Sequence, residues 1–260
     1  MKKYYVIGNP IDHSLSPQLH NFWIKKNNIN AEYEKIKLEE NELKDFINKL
    51  RNDEIHGINV TVPFKSKVIK YLDKLSLEVE TTGSVNTIYK SGEDIIGHNT
   101  DVAGFELGLR HSKINVLHKS IFILGAGGVV SSIIYSLLSM GCKKILLSNR
   151  TYQKAEEIKK RFHEIEILKW GEIPDFDIVI NATSVGLRGD SLDLTMNVKD
   201  KIFYDVIYNP KETPFLKKAK ENGNKTENGK FMFIYQANQS FSIWNNTIPK
   251  INSEVIKILE

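Results

Sequence analysis

The sequence predicts an α/β protein of two domains. Three observations carry this: short apolar runs recur along the 260 residues, amphipathic stretches separate them, and a glycine-rich turn joins one run to a helix. Strands alternating with helical crossovers favour parallel pairing. The chain is long enough for two modest cores. The boundary is expected after Asp101, giving a first domain over 1–101, completed by C-terminal helices over 237–260, and a second over 102–236. The first domain reads as an open, mixed α/β unit with a largely parallel sheet.

The elements follow in order. Tyr4 to Ile7 forms an apolar strand stopped by Gly8-Asn9-Pro10. A polar loop, His13 to Pro17, leads into a helix carrying Leu19, Phe22, Trp23 and Ile24, with Ser16 as the expected N-cap and Pro17 at the first helical position. A strand from Ala31 to Leu38 precedes a helix with Leu43, Phe46, Ile47 and Leu50 at helical spacing. Gly57 to Val62 is the next strand, ended by Pro63. Val85–Tyr89 and Ile95–His98 are further strands, and a helix from Val102 to about Arg110 bridges to the second domain. There, Ser120 to Leu124 is almost wholly apolar, as a central parallel strand is. It meets Gly125-Ala126-Gly127-Gly128, an apolar helix from Val129 to Met140, a strand from Lys144 to Ser148 and a charged helix from Tyr152 to Arg161. Asp177–Ile180 and Lys201–Tyr204 complete the strands. A helix then carries Ile234, Ala237, Phe241 and Trp244 on one stripe, and a last one starts near Pro249.

Composition excludes several classes. The net charge of +4 comes from 36 basic and 32 acidic residues spread along the chain, with no basic stripe for nucleic acid. The N-terminus turns polar too soon for a signal peptide, and no apolar run reaches the ~18 residues of a membrane span. The expectation is a cytoplasmic protein. Cys142, the single cysteine, reads as a small half-buried residue entering a strand. No metal is expected.

The glycine turn carries the first chemistry. Between a strand and a helix, such glycines permit a tight turn and close backbone approach, and the helix N-terminus offers N–H groups to a pyrophosphate. Val130 stands where a third glycine commonly falls. An NAD site places an acidic residue about 20 residues beyond this turn. This chain has Ser148-Asn149-Arg150-Thr151 there instead, with Lys154 a helical turn further on. A carboxylate would repel a 2′-phosphate, whereas arginine presents a fork of donors that fits one. One charge-assisted hydrogen bond favours NADP(H) by about ten- to a hundredfold. Lys154 alone reads as a surface lysine. The second domain is therefore Rossmann-like and NADP-binding.

Small polar groups gather where strands of the first domain end: Ser14 and Ser16, then Asn59, Thr61 and Lys65, then Asn86, then Asn99-Thr100-Asp101. Ligands lie at such carboxyl ends in open sheets. Hydroxyls, amides and one lysine suit a polyhydroxylated ligand with a carboxylate. Taken singly, each has a plainer reading, Ser16 as a cap, Asn59 as a turn residue, Lys65 as an exposed lysine and Asp101 as an N-cap.

The ordered blocks resemble shikimate dehydrogenases. Gly8-Asn9-Pro10-Ile11-x-His13-Ser14-Leu15-Ser16-Pro17-x-x-His20-Asn21 is similar to that family's opening signature. Asn59-Val60-Thr61-Val62-Pro63-Phe64-Lys65, Gly83-Ser84-Val85-Asn86-Thr87 and Asn99-Thr100-Asp101-x-x-Gly104-Phe105 follow in the family's order. Asn149-Arg150-Thr151, Asn181-Ala182-Thr183-Ser184-x-Gly186 and Tyr204-Asp205-x-x-Tyr208-x-Pro210-x-x-Thr213-Pro214 continue it, so the likeness spans about Lys3 to Trp244.

The resemblance implies reduction of 3-dehydroshikimate to shikimate with NADPH, on the way to aromatic amino acids. It makes Lys65 and Asp101 the catalytic pair and gives the substrate to Ser14, Ser16, Asn59, Thr61, Lys65, Asn86, Asp101, Tyr208 and Gln236. The cofactor falls to Gly125, Ala126, Gly127, Gly128, Val129, Asn149, Arg150, Thr151, Lys154, Thr183, Val206 and Gly229. Ser84, Ser132 and Phe231 depart from the family's usual Ala, Ala and Gly. A small-molecule substrate is the expected partner, and the chain reads as a monomer or a homodimer. Two rivals stand beside this: a broader quinate/shikimate dehydrogenase using NAD, and a nucleotide-sensing protein on the same fold, which should have lost Lys65 or Asp101.

Overall fold

A computed structural model describes residues 1–259. The chain divides into two compact units, one of residues 1–104 with 234–260, the other of residues 105–233.

In the first unit the elements are β1 (Lys2–Gly8), α1 (Ser16–Lys26), β2 (Ala31–Lys37), α2 (Leu43–Arg51), β3 (Gly57–Val60), β4 (Lys74–Leu75), α3 (Leu77–Thr82), β5 (Thr87–Ser91), β6 (Asp94–His98) and the start of α4 (Thr100–His111). Its sheet has the order β2-β1-β3-β5-β6-β4. The β1–β2, β1–β3 and β4–β6 pairs are parallel. The β3–β5 and β5–β6 pairs are antiparallel, so the sheet is mixed. The β5–β6 pair is antiparallel because these strands are joined only by Gly92-Glu93, with Gly92 at φ 60°, which leaves no room for a crossover. One face of this sheet packs Leu43, Phe46, Ile47 and Leu50 of α2 against Ile58, Ile88 and Ile95. Burying each such side chain stabilises by about 1.5–3 kcal/mol.

The second unit contains β7 (Ser120–Leu124), α5 (Val130–Ser139), β8 (Lys144–Ser148), α6 (Tyr152–Lys159), β9 (Glu166–Leu168), β10 (Ile178–Asn181), β11 (Ile202–Asp205), α7 (Pro214–Glu221), β12 (Lys225–Asn228) and the first turn of α8 (Lys230–Asn245). The rest of α8 and the short α9 (Ser253–Lys257) belong to the first unit. The sheet order is β12-β11-β10-β7-β8-β9, with every neighbour parallel. This is the doubly wound arrangement, and its order reverses between β7 and β10. Alternation places Ile121, Ile123, Ile145 and Leu147 in one core with α5. Phe122, Leu124, Leu146 and Phe203 enter the other, with α7.

Several expectations are corrected. Ser16 is not the cap of α1: it is already helical, Leu15 holds the N-cap position without a side-chain bond, and the Ser16 N–H donates to Ser14 Oγ at 3.3 Å. The last helix begins at Ser253, not near Pro249, because the Asn252 side chain accepts from Val255 N at 3.2 Å and so caps it there. The helix expected from Val102 begins at Thr100. Strands β9 and β12 and helix α7 were not anticipated. Both strands lie at sheet edges, where one-sided pairing lets Lys225-Thr226-Glu227-Asn228 dispense with apolar residues. Cys142 is half-buried, and burial pushes its thiol up to about 11, so it holds no reactive thiolate at neutral pH. Among the described residues, no helix is long and apolar enough to cross a membrane.

Candidate active site

In the first unit, strand ends bring the polar groups together. β3 stops at Val60, and Thr61 N donates back to Ile7 O at 2.9 Å, so the exits of β1 and β3 run side by side. Phe64, 2% exposed, plugs the core and fixes the turn that carries Lys65. Lys65 O in turn accepts from Val85 N at 2.9 Å. Lys65 Nζ forms an ion pair with Asp101 Oδ2, the two side chains being 13% and 8% exposed. Asp101 occupies the first turn of α4, where the helix dipole favours a carboxylate, and its own N–H donates to Asn99 Oδ1 at 3.1 Å. Its second oxygen, Oδ1, accepts from Asn86 Nδ2 at 2.9 Å. The same nitrogen lies 3.3 Å from Gln236 Oε1.

The hydrogen-bonded set thus joins Lys65, Asp101, Asn86 and Gln236, and reaches Asn59, whose Nδ2 donates to Asn86 O at 3.0 Å. Ser14 and Thr61 lie on the adjoining loops after β1 and β3, and Ser16 opens α1, outside that set. A half-buried lysine paired with one carboxylate, with amides and hydroxyls around it, can deliver a proton to an oxygen that gains negative charge.

In the second unit, the turn after β7 is shaped for an anion. Gly125 has φ 108°, and a β-carbon there would fall 2.8 Å from Ala182 O, so glycine is required. At Gly127, by contrast, the nearest atom to such a carbon is 3.8 Å away, leaving that face open. No side chain caps α5, and its first turn carries no acidic residue. These features fit a dinucleotide pyrophosphate, and the turn lies at the reversal of strand order, where nucleotides bind such sheets. Ala126 and Val129 complete the turn beside the apolar core. After β8, Asn149 Nδ2 donates to Thr151 O at 2.7 Å, while Arg150 and Lys154 are exposed. Thr183 is held by Asn181, whose Oδ1 accepts from its N–H at 3.1 Å and its hydroxyl at 2.7 Å. Tyr208, half-buried in this unit, stacks on Phe233 with centroids 4.3 Å apart.

Two packing roles in this unit escape sequence reading. Asp205, fully buried, accepts from Thr213 Oγ1 at 2.7 Å, Asn181 Nδ2 at 3.1 Å and Ile207 N at 3.0 Å. Burial pushes its carboxyl up to about 6 against those donors. It fastens the segment bearing Val206 and Tyr208 to the β10 exit; its only sequence signal is a place in the Tyr204-to-Pro214 block. Gly229 sits against that segment: a β-carbon there would fall 2.1 Å from Val206 O. Gly229→Ala is therefore expected to lower the melting temperature by about 5–10 °C, the consequence of roughly 2–3 kcal/mol of overpacking, as read by circular dichroism. A melting temperature equal to that of the unmodified chain would show that the close approach is not needed.

Fold and site together define a dinucleotide-dependent oxidoreductase with separate substrate and nucleotide units. Residues 6–88 match the family model for the shikimate dehydrogenase substrate binding domain, and residues 108–188 match that for shikimate / quinate 5-dehydrogenase. The chain is 56% identical to the NADP(+) shikimate dehydrogenase of Pelagibacter ubique, covering 100% of this chain and 99% of that protein. It is 36% identical to the Bacillus subtilis enzyme of the same name, over 96% and 94% of the two chains. Among solved structures, shikimate 5-dehydrogenase from Listeria monocytogenes in complex with shikimate and NAD gives a TM-score of 0.91 at 31% identity, covering 100% of this chain and 96% of that one. The Thermus thermophilus enzyme in complex with NADP(H) and shikimate gives 0.90 at 28% identity, over 100% and 98%. The chain belongs to the shikimate dehydrogenase family.

Proposed function

We propose that the chain reduces 3-dehydroshikimate to shikimate with NADPH, in the cytoplasm, as a step of aromatic amino-acid biosynthesis. The observation that carries this reading is the Lys65–Asp101 ion pair, with Asn86 on the second carboxylate oxygen. A family member that had become a sensor would not need to keep it.

NADPH, when bound, supplies the hydride; Gly125 to Val129 would hold its pyrophosphate, and Asn149 to Lys154 its 2′-phosphate. Thr183, Val206 and Gly229 would line the same site. On the substrate side, Ser14, Ser16 and Thr61 would take the carboxylate and hydroxyls, with Asn86, Tyr208 and Gln236 completing the contacts and Asn59 holding Asn86 from behind. As negative charge builds on the carbonyl oxygen, protonated Lys65 is the general acid, and Asp101 orients both the ammonium and a ring hydroxyl. Low exposure of the pair keeps bulk water from competing for that proton, and a preorganised cation stabilises developing charge strongly in such surroundings. Oxidation of shikimate runs the same path backwards and requires neutral Lys65.

The test is a spectrophotometric assay of NADPH oxidation with 3-dehydroshikimate, run beside NADH and beside the reverse reactions with shikimate and quinate. Turnover with NADPH and 3-dehydroshikimate supports the reading. Tight ligand binding without turnover would favour a sensor, and equal use of quinate and NAD the broader dehydrogenase.

A further inference from the structure

A buried polar network continues beyond the groups that would touch substrate. The Asn86 amide is fixed by a partner that can only donate: Thr100 N donates to Asn86 Oδ1 at 2.7 Å, which turns Nδ2 toward Asp101. The Asn59 amide is fixed by a partner that can only accept, the Asn86 carbonyl, so its Oδ1 faces away and accepts from the Tyr33 hydroxyl at 2.7 Å. Asn59 Nδ2 also lies 3.0 Å from Ser240 Oγ and 3.2 Å from Thr87 Oγ1. Ser240 Oγ donates to the Gln236 carbonyl at 3.1 Å, which leaves its oxygen free to accept. It stands 2.8 Å from Thr87 Oγ1 and 3.1 Å from Thr100 Oγ1. Ser240 and Thr87 are both 0% exposed.

Both Asn59 protons are thus committed inside the protein, one to the Asn86 backbone and one to the hydroxyls. That is the pattern of a residue that holds others in place. Tyr33 is itself braced, its ring stacked on His20 with centroids 4.2 Å apart and planes 7° from parallel. His20 is wholly buried, and burial keeps its ring neutral.

We propose that Tyr33 and Ser240 are positioning residues for proton transfer, acting through Asn59 and Asn86 on the Asp101 carboxylate. The inference rests on the Lys65–Asp101 reading given above and extends it to two residues from β2 and α8. Neither residue touches Lys65 or Asp101. Each removes one way for the Asn59 amide to rotate, and Asn59 in turn fixes the backbone from which Asn86 reaches Asp101.

The experiment is steady-state kinetics on Tyr33→Phe, Ser240→Ala, Asn59→Ala and the doubles with Asn59→Ala. Each of the first two variants keeps the shape of the residue it replaces and is expected to lower kcat about three- to tenfold, because a buried amide loses one of its partners. KM for NADPH stays unchanged. In the Asn59→Ala background, Tyr33→Phe and Ser240→Ala have no further effect on kcat, since residues acting through one partner do not add. Unchanged kcat in both variants, effects that simply multiply in the doubles, or a rise in KM for NADPH with constant kcat would each overturn the proposal. If Lys65→Ala kept full turnover, the site reading itself would fall; a Lys65-dependent enzyme indifferent to Tyr33 and Ser240 would dismiss the positioning role alone.

Discussion

Lys65→Ala lowers kcat for reduction of 3-dehydroshikimate by about a hundredfold or more, with KM changed little, as the expected loss of a general acid used only in the transition state. The geometry sets this expectation. The Lys65 side chain is 13% exposed and paired with Asp101, so no water-borne donor stands ready to replace it at the same place. Asn86 and the α4 first turn still hold the Asp101 carboxylate after the change. The groups proposed to hold the substrate in its ground state, Ser14, Ser16 and Thr61, stand apart from this pair, which is why KM is spared. The buried carboxylate left without its cation also costs stability, so a melting curve belongs beside the kinetics to separate loss of fold from loss of chemistry. A folded Lys65→Ala variant with near-normal kcat would remove Lys65 from the chemistry.

How much of this was legible in the sequence depends on the kind of residue. The apolar stretches that became β7, α5 and β8 declare themselves, since burial on both sides of a parallel sheet leaves no room for polar residues. Edge strands do not, and Lys225-Thr226-Glu227-Asn228 looks like a loop until its partner is seen. Site residues divide the same way. Gly125 and Arg150 carry a local physical signal, a glycine where φ must be positive and a cation where an acid would otherwise stand. Lys65 and Asp101 carry none, because an exposed lysine and a helix-cap aspartate look the same in sequence; only a likeness to known blocks singled them out, and the ion pair needed three dimensions. Tyr33 and Ser240 were missed altogether. A serine three residues after Ala237 and four before Trp244 interrupts the apolar stripe of α8, and that interruption was the available clue. Its meaning depends on Asn59, which lies 181 positions away.

Cofactor choice rests on fewer groups, and its test is correspondingly direct. Arg150→Ala is expected to lower kcat/KM for NADPH about ten- to a hundredfold, while kcat/KM for NADH changes less than about threefold. Arg150 follows the end of β8 and is exposed, so before the cofactor arrives it contributes little to stability. Bound 2′-phosphate changes that balance, because a planar guanidinium can donate two parallel hydrogen bonds to it. The Thr151 side chain caps no N–H of α6, and no acidic residue lies in that first turn, so nothing there opposes an anion. Lys154 sits in the same turn as an exposed cation and adds a weaker, more screened attraction. Because both cations face water, the preference for NADPH should narrow as salt rises through the range where the Debye length falls from about 10 Å to about 3 Å. Loss of activity with both cofactors in equal measure would mean that Arg150 supports the loop and does not read the phosphate. An unchanged ratio at every salt concentration would place the discrimination elsewhere in the β8–α6 connection.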